Sequence, residues 1–377
     1  MIPSQRALFD IPRDVAYLNC GYMGPLPRAT LAAGAAGAAR KARPWTLTPA
    51  DFFGEAEAAR GGFAALVGAD AEGVALVPSA SYGLSTAAAN LTLGPGRRVA
   101  TLAEQFPSNV YPWRDKAARE GGEVVAVAAP PDGDLTRAVL DAIDERCAIV
   151  ALPNVLWTSG ALVDLVAVGA RARAVGAALV LDLTQSAGAM ATDLGAIQPD
   201  FAVAAGYKWL LCPYATGFLW VSPRWRNGRP LEQTWLGRGG SEAFARLVEY
   251  RDDFQPGARR FDMGERSDFA ALPAMIASLD LIASWTPEAV GRTLAARTAR
   301  IAARLEGLGL SCPTAHLRGP HFLSAALPDD APEDLVARLA ARSVFVSQRG
   351  RSLRITPHLY NDDADEDRLI AALGGAL

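Results

Sequence analysis

Short apolar runs alternate with longer Ala-, Leu- and Arg-rich stretches from Gly73 to Val221. Seven of the runs read as strands, over 73–77, 98–101, 123–128, 147–152, 178–183, 201–204 and 217–221. They are nearly continuous in apolar residues rather than alternating, the pattern of strands covered on both faces. Helical stretches are expected from Tyr82 onward and over 162–175, and the Ala-rich 29–43 also reads as a helix. The fold class is therefore α/β, a mostly parallel seven-stranded sheet between helices. Beyond Pro256 the pattern changes. One long helix is expected over 273–306, stopped by Gly307. Strands at 321–326, 344–346 and 353–355 then alternate with helices at 332–342 and 363–373, which reads as a smaller α+β domain. The expected organisation is an N-terminal segment (1–25) packing near the site, a large domain (26–256), and a small C-terminal domain with its linking helix (257–377).

The bulk composition narrows the function. Half of the 377 residues are apolar and the formal net charge is −3, so nothing favours nucleic acid or an anionic membrane as partner. No apolar run approaches a membrane span, and the opening residues lack the apolar core of a secretory signal. Cys20, Cys147, Cys212 and Cys312 are scattered, which suits a reducing cytoplasm better than a disulfide framework. His316, His321 and His358 have no ligand-like spacing, so no metal is expected.

Lysine is nearly absent: Lys41, Lys116 and Lys208 are the only three. Lys208 stands between Tyr207 and Trp209 in an apolar run, where desolvation disfavours the ammonium form. That is the condition under which a lysine attacks an aldehyde as a neutral amine. The bland alternative is a lysine snorkelling from a strand end. Asp182 closes an apolar strand, at the end where α/β folds bind ligands, and would hold a pyridine nitrogen protonated; it would equally cap a helix. Ser79-Ala80-Ser81 follows a strand and opens a helix, a natural phosphate cradle or an ordinary cap. Phe106, in the loop after another strand, offers a flat face to an aromatic ring.

The order and spacing of these residues resemble the class V aminotransferase family of fold-type I pyridoxal-phosphate enzymes, which includes kynureninases, cysteine desulfurases and isopenicillin N epimerase-like proteins. The likeness runs from Tyr17-Leu18-Asn19 to Tyr360-Asn361. It is most specific at Asp182-Leu183-Thr184-Gln185-Ser186, at Gly206-Tyr207-Lys208 and in the loop from Glu104 to Trp113. The resemblance implies pyridoxal 5'-phosphate as cofactor, Lys208 as its Schiff-base lysine and Asp182 as partner of the pyridine nitrogen. It implies that Gln185 and Asn154 lie on the side of the ring hydroxyl, that Phe106 stacks on the ring, and that Ala80, Ser81 and Tyr207 hold the phosphate. Trp235 would approach the phosphate across a homodimer interface, and Arg354 and Asn19 would bind substrate. The family pattern is broken in places. The stretch 346–353 lacks the desulfurase cysteine, Ala80 and Ala205 replace hydroxyl residues, Asn109 replaces an aspartate, and 261–269 departs from a Gly-Thr-Pro motif. The implied activity is on a small amino acid through an external aldimine. Transamination is favoured, with kynureninase-like or C–S lyase and epimerase outcomes open. A catalytically silent ligand-binding relative is the non-enzyme alternative.

Overall fold

A computed structural model describes residues 1–377. The N-terminal segment contributes a short strand, β1 (Ala16–Tyr17). The next seven strands are β2 (Val74–Val77), β3 (Arg98–Leu102), β4 (Glu123–Val127), β5 (Cys147–Pro153), β6 (Ala178–Asp182), β7 (Phe201–Ala205) and β8 (Gly217–Val221). They form one sheet in the order β2-β8-β7-β6-β5-β3-β4. Neighbours from β7 to β4 are parallel, while β8 runs antiparallel to both β7 and β2. Every residue of β2, β6, β7 and β8 is buried, as expected of strands covered on both faces. The edge strand β4 exposes Glu123 and Ala126 and so presents a charge at the open edge. One face is packed by aromatic residues, with Phe63 stacked on Phe218 of β8 at 4.4 Å.

The C-terminal region adds β9 (Leu323–Ala326), β10 (Val344–Phe345), β11 (Ser347–Arg349) and β12 (Ser352–Ile355). The antiparallel sheet β11-β12-β9 has its own apolar core, while β10 pairs in parallel with β1. The N-terminal segment thus ties the two sheets together. The Cys20 N–H donates to the Thr356 carbonyl at 3.0 Å, and the Gly24 N–H to the Tyr207 carbonyl at 2.9 Å.

The long helix expected over 273–306 is two helices, Ala271–Trp285 and Pro287–Glu306. Thr286 breaks it: its φ is 60°, and its hydroxyl accepts from the Ala289 N–H at 3.3 Å. Pro287 lacks an N–H, disfavours helical backbone at the residue before it, and suits the first helical position. The first helix packs against Arg28–Arg40 and Gly54–Leu66. The approach is close at Gly37, where a Cβ would lie 2.0 Å from the Phe269 carbonyl oxygen. Two further expectations shift. The stretch 344–346 stops at Phe345, and the neighbouring β11 was not foreseen because Ser-Gln-Arg carries no apolar pattern.

Candidate active site

Five strands end around one cavity of about 260 Å³. Pro78 to Ser81 follow β2, Gln105 and Phe106 follow β3, and Pro153, Val155 and Trp157 lie at and after the end of β5. Asp182, Thr184 and Gln185 end β6, and Ala205, Tyr207 and Lys208 end β7. Carboxyl-terminal strand edges are where such sheets bind ligands, because helices start and loops converge there.

Lys208 is buried, with Nζ 5.5 Å from the centre of the Phe106 ring and 5.6 Å from that of Tyr207. Burial is the main reason its pKa falls to about 8, with the positive charges of Arg354 and Arg349 adding to the fall and Asp182 opposing it. Asp182 is buried as well, and desolvation pushes its carboxyl upward against the Thr184 backbone N–H that donates to it at 3.0 Å. Gln185 is locked by three contacts. Its side-chain amide donates to the Gly21 carbonyl at 2.9 Å, its Oε1 accepts from the Trp209 indole at 2.8 Å, and its backbone carbonyl lies 2.6 Å from His321 Nε2. One amide hydrogen of Gln185 stays available to the cavity.

The opposite wall is a helix start. Ser79 caps helix Ala80–Asn90, accepting from the Tyr82 N–H at 3.2 Å, and its hydroxyl meets that of Ser81 at 2.8 Å. Ala80 and Ser81 open this helix and line the cavity, and their backbone N–H groups have no intrahelical partner, the arrangement that takes anions. Tyr207 packs on Tyr214 at 4.8 Å beside them. Phe106 meets Trp157 edge to face at 5.3 Å.

Of the residues singled out from sequence, Ala80, Ser81, Phe106, Asp182, Gln185, Tyr207 and Lys208 line this one cavity. Asn154 does not line it; its side-chain amide donates to the Val163 carbonyl at 2.9 Å. Trp235 lies in a separate aromatic cluster with Phe52 and Phe244. Asn19 accepts from the Ser347 hydroxyl at 2.9 Å, on the neighbouring groove. Arg354 is buried beside the cavity, with Nη1 donating to the Trp157 carbonyl at 2.8 Å while Nε and Nη2 have no partner. Sequence reasoning missed Gln105, Trp157 and Tyr214. Gln105 has a buried Nε2 without a partner, and the loop from Glu104 to Trp113 was the available signal for it.

Fold and cavity together place a buried amine, a buried carboxylate and a helix start around one cavity at the strand ends of an α/β sheet. The aminotransferase class-V family model matches residues 45–359, and the chain belongs to that family. It is 33% identical over 288 residues to a kynureninase of Deinococcus radiodurans, covering 74% of this chain and 68% of that one. It is 27% identical over 378 residues to isopenicillin N epimerase of Streptomyces clavuligerus, covering 95% and 94%. A cysteine desulfurase from Thermococcus onnurineus NA1 superposes with a TM-score of 0.86 at 17% identity, over 100% of this chain and 98% of that one, a likeness of fold. The protein is a pyridoxal-phosphate-dependent enzyme of this class. The residues present fit that cofactor: a buried amine lowered to about 8, a carboxylate across the cavity, and free N–H groups at a helix start.

Proposed function

We propose that the protein is an aminotransferase for a small amino acid, with Lys208 as Schiff-base lysine and proton carrier. The observation that carries this reading is that Lys208 is the single amine lining the cavity, and no imidazole or thiol lines it. Bound pyridoxal phosphate supplies an electron-withdrawing ring that drains charge from the substrate Cα. Asp182 would keep a proton on the ring nitrogen, and its burial strengthens that pairing. The N–H groups at Ala80 and Ser81, with Tyr207, would hold the phosphate, and Phe106 would cover one ring face. Arg354 lies just behind the cavity wall, and its buried, unpartnered Nε and Nη2 would take the substrate α-carboxylate. Lys208, once displaced, removes the Cα proton and works from one face only. Inversion at Cα asks for a second base on the other face, so amino-group transfer is favoured over epimerisation.

The protein acts as a homodimer in this reading, with Trp235 reaching the neighbouring subunit's site. Support comes from Trp235, Leu247, Val248 and Tyr250, which stay exposed on the 231–250 segment. A second reading is a lyase of the kynureninase or C–S type, favoured by the 33% identity to the Deinococcus kynureninase. One experiment separates these. Wild type and Lys208→Ala are loaded with cofactor, treated with borohydride and mapped by mass spectrometry, then wild type is screened with amino acids and keto acids. A visible band that borohydride bleaches while leaving the reduced cofactor on Lys208, together with keto-acid exchange, supports transamination. Release of the side chain instead supports the lyase. No adduct at Lys208 overturns the central assignment.

A further inference from the structure

The hairpin of β11 and β12 places two guanidiniums on one face. Ser347 pairs with Arg354 and Arg349 with Ser352, so Arg349, two residues from Ser347, shares the face of Arg354. Both lie over the Trp157 indole, Arg349 at 5.4 Å and Arg354 at 5.9 Å from its centre. The indole is fixed: Nε1 donates to the Glu104 carbonyl at 2.7 Å, and Phe106 meets its ring edge to face. Trp157 is thus a shared wall, with the cavity of Lys208 on one side and a groove containing Arg349, Ser159 and Ser352 on the other.

Neither arginine is paired with an acid. Arg354 uses Nη1 on a backbone carbonyl and leaves Nε and Nη2 free. Half-buried Arg349 makes one hydrogen bond, from Nη1 to the adjoining Gln348 carbonyl at 2.7 Å. Of the other charges lining the groove, Arg351 pairs with Asp329 at 2.7 Å and Asp132 with Arg137 at 2.6 Å, while the Glu104 carboxylate accepts from the Thr158 hydroxyl at 2.7 Å and is paired with neither arginine. One carboxylate is satisfied by one guanidinium edge, so the α-carboxylate occupies Arg354 and leaves Arg349 for a second anion.

We infer that the substrate is a dicarboxylic amino acid, its α-carboxylate on Arg354 and its side-chain carboxylate on Arg349 past the edge of Trp157. This rests on the reading of the cavity as the site of amino-acid chemistry. Arg349 is a specificity residue: it selects the side chain and takes no part in proton movement.

The test uses the cofactor-loaded enzyme, with borohydride fixation at Lys208 as the control for the cofactor itself. Glutamate, 2-aminoadipate, glutamine and norvaline are titrated against the visible band. The acidic amino acids should bind at least about tenfold tighter than their neutral counterparts. Arg349→Gln should weaken the acidic ligands about tenfold to a hundredfold and leave norvaline unchanged, whereas Arg354→Gln should weaken all four. Arg349→Lys, which keeps the charge, should retain part of the preference. Calorimetry of cofactor-free protein with glutarate against butyrate gives the same comparison without the cofactor. The inference is overturned if acids bind no tighter than neutral amino acids, or if Arg349→Gln affects both alike, while the Lys208 adduct still forms. Should that adduct fail to form, the cofactor reading falls, and the glutarate measurement alone decides the arginine pair.

Discussion

Around Asp262 buried charge is paired, and around Lys208 it is left open. The Asp262 carboxylate is held by Arg60 and lies 2.6 Å from Arg266, and it accepts from the Leu76 backbone N–H at 2.9 Å. Arg60 reaches on to Glu57 at 3.0 Å, and Glu57 to Arg259 at 2.6 Å. These groups clamp helix Gly54–Leu66 to the edge of β2. In the cavity, by contrast, Lys208 and Asp182 are buried too, yet neither has an ion-pair partner in contact, and the neighbouring Arg354 is paired with no acid. Ionic groups that neutralise each other hold a fold; ionic groups kept apart under desolvation are held ready for a ligand.

The comparison breaks first on activity. Lys208→Met should lower turnover by about 10⁴-fold or more, since the proposed cofactor attachment and proton transfer would both be lost. Steady-state assays against a screened amino acid read this directly. Asp262→Asn should act the other way, destabilising the fold by about 3–5 kcal/mol because two guanidiniums are left buried without their acid. Chemical denaturation gives the loss, and below the new melting point the cofactor band should be unchanged. Turnover that fell as far in Asp262→Asn would erase the distinction between the clusters.

A sharper prediction reverses the usual sign. Lys208 is held at about 8, below its unfolded value of 10.5, so the folded state binds its proton less tightly than the unfolded state. The penalty of burying the charged amine is full below pH 8, shrinks as pH rises from 8 to 10.5, and is gone above it. Lys208→Met should therefore stabilise the cofactor-free protein at pH 7 by on the order of 2 kcal/mol. That gain should fade between pH 8 and 10.5. Urea titrations of both proteins across this window test it, and a gain independent of pH would point to packing rather than charge.

How legible this was in the sequence follows the same division. Residues ending apolar strands announced themselves: Lys208 as a rare cation in an apolar run, and Asp182 as the polar end of β6. Their strands are local patterns, and where such a strand ends is where the cavity lies. Trp157 carried no such mark, because its role comes from contacts between loops far apart in the chain, and Gln105 was signalled only by the likeness of its loop, Glu104 to Trp113, to the family. Arg354 was visible through the family resemblance alone, being one of many arginines; its free nitrogens became evident from the packing of β12. The Thr286 break was readable from Pro287 and overlooked because apolar periodicity continues through it. Asn154 was likewise legible only through the family resemblance, and its side-chain nitrogen is engaged by its own loop at Val163.

The smallest effect tests whether the Asp262 cluster is one unit or a buried core with a rim. Glu57 stands in the first turn of its helix with a side chain 40% exposed, while Asp262 is 1% exposed. Its pairs with Arg60 and Arg259 are open to water at the Glu57 end only, and screening at that end leaves them less net worth than the fully buried pair. Glu57→Gln should cost about 1 kcal/mol or less, including its favourable position at a helix N-terminus. The loss should shrink further in about 1 M salt, where screening acts within roughly 3 Å. The Asp262→Asn loss should keep its size in that salt, because no ions reach the buried pair. Denaturation of the two variants at low and high salt therefore separates rim from core. A Glu57→Gln loss as large and as salt-insensitive as that of Asp262→Asn would mean that the whole chain of charges, from Arg259 through Glu57 and Arg60 to Asp262, responds as a single buried network.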